Sequence, residues 1–340
     1  MRKILTQSLK IAGFLALGVL LLYLAFKGIA FQELKSTLSG ANYWWIGLSL
    51  VFLTLGFVLR ARRWMLLIQP LGYRPSLKST YHSLMVGYLS NYALPRLGEV
   101  TRCVSLGSKE KIPVDSLIGT VIIERVIDML MLLLIMAFLL ISRMEQFGAF
   151  FGEKVFGPMG ERISEIFGGT VLFWILVGVF CVVLLLAIFI FRQRLLKIRL
   201  IRKIADFLKG ILDGLSTIGR MERKWEFIIQ SFLIWFIYIL MTWVVVFALK
   251  DTAHLGFIDG VFLLVVGGLG MAAPVTGGFG AYHWITSRGL VHVYGLTLEQ
   301  GGAYAILAHE PNSMFTIILG LISYALIVSS QRRKKAAADS

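Results

Sequence analysis

The chain has 340 residues, of which 57% are hydrophobic and only 16% charged, and its mean hydropathy is +0.79. A soluble domain carries about 25% charged residues, so these values exclude a soluble globular fold and predict an all-α, polytopic integral membrane protein. The net charge of +15 does not predict a nucleic-acid partner, because the basic residues collect at the ends of apolar runs, where the positive-inside rule places them.

Six apolar runs approach or exceed the roughly 20 residues that a spanning helix needs. The first, about 9–26, follows Arg2, Lys3 and Lys10, and no small-x-small site follows it. It is therefore read as a retained span, not as a signal peptide. The second covers 43–60 and is closed by Arg60, Arg62 and Arg63. An apolar but interrupted stretch follows at 79–105, and then a third span at 116–142 after Lys109 and Lys111. The loop at 143–169 carries three basic and four acidic residues. A fourth span is predicted at 170–191. Residues 192–227 carry ten basic and four acidic residues, and Leu200, Ile204, Leu208, Ile211, Leu215 and Ile218 recur there at helical spacing. Such a basic amphipathic helix lies in the headgroup plane or packs on the bundle from the cytoplasm. The fifth span is 228–249, a second interrupted stretch is 258–295, and the last span is 303–329, followed by Arg332 to Lys335.

All the basic regions fall on one side if both termini are cytoplasmic. On that assignment 79–105 enters and leaves from the cytoplasmic side and 258–295 from the outer side. Each is a re-entrant hairpin or a pair of short helices, counted as two further spans if the helices cross fully. The halves, about 1–142 and 170–330 of a single 1–340 domain, then repeat the order span, span, hairpin, span in opposite orientation. Inverted repeats with broken helices near the midplane are a recurring transporter architecture. The hairpins share Ala93-x-Pro95-x-x-Gly98 and Ala272-x-Pro274-x-x-Gly277.

Charges inside hydrocarbon cost about 2.5–3.5 kcal/mol each on insertion scales and face a partner or a water-filled cavity. In the third span Glu124 and Asp128 share a face at i,i+4, and Arg125 neighbours Asp128 at i,i+3. They either pin this span to the first hairpin or form part of a site. The hairpin adds Arg96, Glu99 and Arg102. Pro95 disfavours helix at Leu94, and Gly98 permits a tight turn. Free N–H groups at a broken helix favour anions, and arginine binds phosphate bidentately. These features suit a lipid phosphate headgroup, unless the arginines only follow the positive-inside rule. The second hairpin has Pro274, Gly277, Gly278 and Gly280, read as gate residues or as close-packing positions. His283 ends that glycine stretch, and His309, Glu310 and Pro311 interrupt the last span. His283, His309 and Glu310 either carry protons or form a satisfied internal hydrogen bond. Cys103 and Cys181 are in no metal-ligand spacing. No metal, no cofactor and no enzyme activity is expected, since no catalytic signature of the common kinds is present.

Leu94-Pro95-Arg96-Leu97-Gly98-Glu99 with Arg102, Glu124-Arg125-x-x-Asp128, and Ala273-Pro274 followed by Gly277-Gly278-Phe279-Gly280 resemble the lysylphosphatidylglycerol synthase transmembrane, or flippase-like, family over nearly the whole chain. In the multiple peptide resistance factors this region moves aminoacylated phosphatidylglycerol between leaflets, and a separate C-terminal domain makes the lipid. The chain stops eleven residues after the predicted last span, so the resemblance implies translocation without synthesis, in a bacterial inner membrane. Archaeal relatives widen the substrate class from phospholipid to polyprenyl-linked lipid. The family more often has a glutamate where His283 stands and an arginine near His309 and Glu310, so lysyl specificity is not carried over. The competing expectations are a membrane-embedded transferase with Glu99 as base and a non-transporting scaffold. A homo-oligomer is compatible with either.

Overall fold

The computed structural model describes residues 19–24, 27–150, 221–273 and 275–338; side-chain surroundings are described as far as residue 330, Ala149 excepted. Spans predicted at 170–191 and over most of 9–26, the basic amphipathic segment up to residue 220, and Pro274 lie outside the described residues. Every element among the described residues is helical. We number them α1 (Phe31–Ser39), α2 (Tyr43–Ile68), α3 (Leu77–Ala93), α4 (Leu97–Glu110), α5 (Val114–Ser142), α6 (Met144–Ala149), α7 (Lys224–Val244), α8 (Phe257–Ala272), α9 (Ala281–Tyr294) and α10 (Leu298–Ala338).

The chain divides into two units, one formed by 1–139 with 225–340 and the other by 140–224. Of the second, α6 is the one helix among its described residues. The first holds the rest. Among the described residues four helices are long and apolar enough to cross a membrane: Tyr43–Leu71, Val114–Ser142, Lys224–Ala248 and Leu298–Ser330. Their outer faces leave Leu133, Leu134, Phe138, Phe232, Phe236 and Ile322 exposed, an apolar surface that water would not tolerate on this scale. The protein is a multi-pass membrane protein.

Local chemistry sets the helix boundaries. Asn42 caps α2 by accepting from the Trp44 amide at 3.1 Å, and Ser76 caps α3 by accepting from the Ser79 amide at 3.2 Å. Thr297 and Gln300 form a reciprocal capping box at the start of α10. The Asp259 carboxylate accepts from the Gly256 amide and the Tyr294 hydroxyl, both at 2.7 Å. It thereby ties the start of α8 to the end of α9.

Both interrupted stretches are helix pairs. Leu94 is extended (φ −145°, ψ 132°), as expected before proline, and α3 stops there. The tight turn falls on Arg96, which is left-handed at φ 64°, and not on Gly98, which lies in the first turn of α4. Gly98 serves packing: a Cβ there would run into the Gly87 carbonyl oxygen. The second pair has a longer link, with Gly277, Gly278 and Gly280 at φ 60°, 74° and 80°. These glycines make the turn. Gly267 and Gly270 instead let α8 approach Tyr282 of α9 closely. The close-packing reading thus holds at Gly267 and Gly270, while Gly277, Gly278 and Gly280 serve the turn.

Two boundaries differ from expectation. The span predicted to close at Arg60 continues to Ile68, and Arg60 and Arg63 are buried within it while Arg62 is exposed. The apolar run Trp64 to Ile68 draws the helix onward, and Trp64, Ile68, Cys103, Leu106, Leu117 and Val121 form one core cluster. Pro311 does not break the last span, since α10 is continuous through it.

The packing of the two pairs on α10 positions the site. A Cβ on Gly320 would meet Leu89 and Met85 of α3, and His82 contacts Ser323 at 3.0 Å. Toward the other end, a Cβ on Gly301 would meet the Ser287 carbonyl of α9. The pairs therefore lie along α10 from opposite ends. Their tips meet near its middle, where the Tyr92 and Phe279 rings stand 6.4 Å apart edge to face.

Candidate functional site

Glu124 and Asp128 lie about 15–21 Å along α5 at 1.5 Å per residue, close to its middle. Helical spacing turns both toward α2 and α4, and both are buried. Asp128 accepts from Arg60 Nη2 at 2.6 Å and from Arg63 Nη2 at 2.7 Å. Glu124 stands 3.4 Å from Arg63 and 3.0 Å from Arg102. Arg60 also donates to the Tyr88 hydroxyl at 2.9 Å, and Arg63 to Ser231 at 3.4 Å. Arg102 lies over the Trp64 ring, 4.7 Å from its centroid, and Arg60 lies 5.6 Å from that of Tyr238.

Arg125 turns the other way. Its side chain is 40% exposed and reaches Glu99 at 3.6 Å and Asp128 at 3.7 Å, looser than the inner contacts. Four guanidinium groups thus face three carboxylates. Arginine does not discharge in proteins, so one positive charge remains in excess. Satisfaction is incomplete as well: among the described residues the three nitrogens of Arg102 and both oxygens of Glu124 lack an aligned hydrogen bond, although the two groups touch.

Of the sequence-predicted residues, Glu99, Arg102, Glu124, Arg125 and Asp128 come together here. Arg96 is exposed at the hairpin tip and makes no ion pair among the described residues. Pro95 and Gly98 border the cluster, with the Gly98 amide donating to Asn91 Oδ1 at 2.7 Å. Sequence reasoning missed Arg60 and Arg63 by reading them as an interfacial girdle. The available signal was their i,i+3 spacing, followed by further apolar helix at 64–68.

The second group gathers at the other tip. His283 Nε2 is 3.0 Å from Glu310 Oε1, and His309 Nδ1 is 3.3 Å from the same oxygen. His309 Nε2 contacts the Gly277 carbonyl at 2.8 Å, and the ring stacks on Tyr282 at 4.8 Å. Gly278 and Gly280 shape the loop beside it. The residues read as proton carriers, or as an internal hydrogen-bonded pair, therefore form one centre.

Among known proteins, no curated sequence and no solved structure matches the chain. The family model described as the lysylphosphatidylglycerol synthase TM region matches residues 10–320, a span that takes in both helix pairs, the buried arginine–carboxylate cluster and the histidine centre. Matched over most of its length, the chain belongs to the lysylphosphatidylglycerol synthase TM region family.

Proposed function

We propose that the protein moves a lipid with an anionic phosphate headgroup between membrane leaflets, as a flippase-like transporter without catalytic chemistry of its own. The observation that carries this reading is Arg125. It is 40% exposed and its carboxylate contacts are loose, while behind it stands a buried cluster with one positive charge in excess. A phosphate arriving at Arg125 meets a field already favourable to it, and arginine offers a bidentate fork. Arg96 at the hairpin tip extends that field, Arg102 within the cluster contributes to it, and Glu99 holds Arg125 until the headgroup replaces it.

The two helix pairs would serve as gates, with Pro95, Gly98, Pro274, Gly277, Gly278 and Gly280 at or beside their breaks. Their approach along α10 from opposite ends supports an inverted repeat, with the first pair entering from the cytoplasm and the second from outside. In this reading both termini are cytoplasmic and the membrane is a bacterial inner membrane. The substrate is a phospholipid or a polyprenyl-linked lipid.

The test is leaflet exchange of a fluorescent phosphatidylglycerol in liposomes holding the purified protein. Arg125→Ala is expected to slow exchange at least tenfold, and Glu99→Gln to alter it measurably. Wild-type rates in both variants, with thermal unfolding unchanged, would remove the transport reading and leave the cluster as a structural scaffold. Chemical conversion of the lipid by wild type, lost in Glu99→Gln, would favour a transferase instead.

A further inference from the structure

The histidine centre is not used by the headgroup reading, and its hydrogen bonding poses a chemical problem. A backbone carbonyl only accepts, so His309 Nε2, 2.8 Å from the Gly277 oxygen, must carry a proton. In the neutral ring Nδ1 then presents a lone pair. That lone pair points at Glu310 Oε1, 3.3 Å away, and a carboxylate oxygen is also an acceptor. The same oxygen receives His283 Nε2 at 3.0 Å. A proton on His283 Nε2 satisfies its contact with the carboxylate but leaves the one between His309 Nδ1 and Glu310 unresolved, whereas a single cation among the two imidazole nitrogens and the carboxylate oxygen satisfies all three.

We propose that His283, His309 and Glu310 bind a divalent transition-metal ion of the zinc class. One ligand atom from each of the three residues lies within 4.8 Å of the others. Zinc–nitrogen bonds of about 2.0–2.1 Å in tetrahedral geometry place ligand atoms about 3.3 Å apart, and two of the contacts, 3.0 and 3.3 Å, already match. Imidazole and carboxylate suit such ions. The outer contact fits too: a metal-bound histidine characteristically donates its other ring N–H to a carbonyl or carboxylate, as His309 does to Gly277. That carbonyl is aimed by a residue at φ 60°, and the rings of Tyr282 and Phe279 flank His309. Both histidines are buried, at 2% and 5% exposure, so the ion would be held from three sides. It would fasten the start of α9 to the first third of α10 and, through Gly277, to the hairpin tip.

The experiment uses the full-length protein in detergent, stripped with chelator and titrated with Zn²⁺ by calorimetry. One saturable site per chain is expected, with affinity lowered at least tenfold in His283→Gln and in Glu310→Gln and unchanged in His254→Gln, which alters an exposed histidine of no part in the centre. Co²⁺ added to the stripped wild type is expected to give visible d–d bands, a readout that does not depend on the variants folding. Absence of a saturable site, wild-type affinity in both centre variants, or absence of the cobalt bands would overturn the proposal. A proton, held as a His309 imidazolium, would then be what fills the centre.

Discussion

The two buried polar centres solve the same problem with opposite chemistry. Around α5, Arg60, Arg63 and Arg102 are enclosed, and since guanidinium cannot shed its proton, each is matched by a carboxylate at 2.6–3.4 Å. At the tip of the second pair, the cationic partners are histidines, which can be neutral. There one carboxylate suffices for two rings, and its side chain stays 31% exposed. Buried permanent charge demands close carboxylate partners, whereas adjustable charge tolerates a more open one. The first centre thus cannot shed its charge, whereas the second, on the metal reading proposed above, would change its occupant.

Removing one carboxylate from each centre is the sharpest way to break this contrast. Glu124→Ala leaves Arg63 and Arg102 buried without that partner, and the loss expected for a broken buried pair is about 3–5 kcal/mol. Glu310→Ala removes contacts to groups that can become neutral, and about 1 kcal/mol is expected. Thermal unfolding of both variants in one detergent checks the order, and equal losses would dissolve the distinction. A smaller effect separates the hairpins themselves. Gly98→Ala drives a methyl into the Gly87 backbone and is expected to cost about 1–3 kcal/mol as overpacking. Gly278→Ala meets the movable Met271 side chain and carries mainly the left-handed penalty of about 1–2 kcal/mol. Unfolding midpoints read the difference. Least of all, Arg125→Ala should change stability by no more than about 1 kcal/mol, because its contacts are loose and exposed. Large destabilisation there would place Arg125 with the structural arginines.

Much of this was legible in the amino-acid sequence where the signal is local. Pro95 does end a helix at Leu94, and Glu124 and Asp128 do share a face, because proline sterics and the 3.6-residue repeat act within a few positions. Long-range pairing was not legible. Nothing near Arg60 or Arg63 announces Asp128, more than sixty positions away, and the positive-inside rule offers a cheaper account of the same residues. The role of Gly98 was misread for a related reason: spacing shows a glycine, but only the neighbouring helix shows that Gly87 needs its hydrogen. His283 and Glu310 could be singled out separately, yet their meeting depends on how α9 lies along α10. The continuity of α10 through Pro311 likewise rests on surrounding packing that no local rule contains.

If the protein transports lipid as proposed, the contact between Tyr92 and Phe279 has an electrical consequence. A membrane voltage falls mainly across the thinnest dry layer in its path. On the proposed transport path, with water filling the breaks from both sides, that layer would narrow from a slab of about 30 Å to the width of two aromatic rings, 6.4 Å between centroids. A charged headgroup passing this ring pair would cross most of the field in one short step, at about 2.3 kcal/mol per elementary charge for each 100 mV. Two side chains, neither of them charged, would then set where the voltage acts.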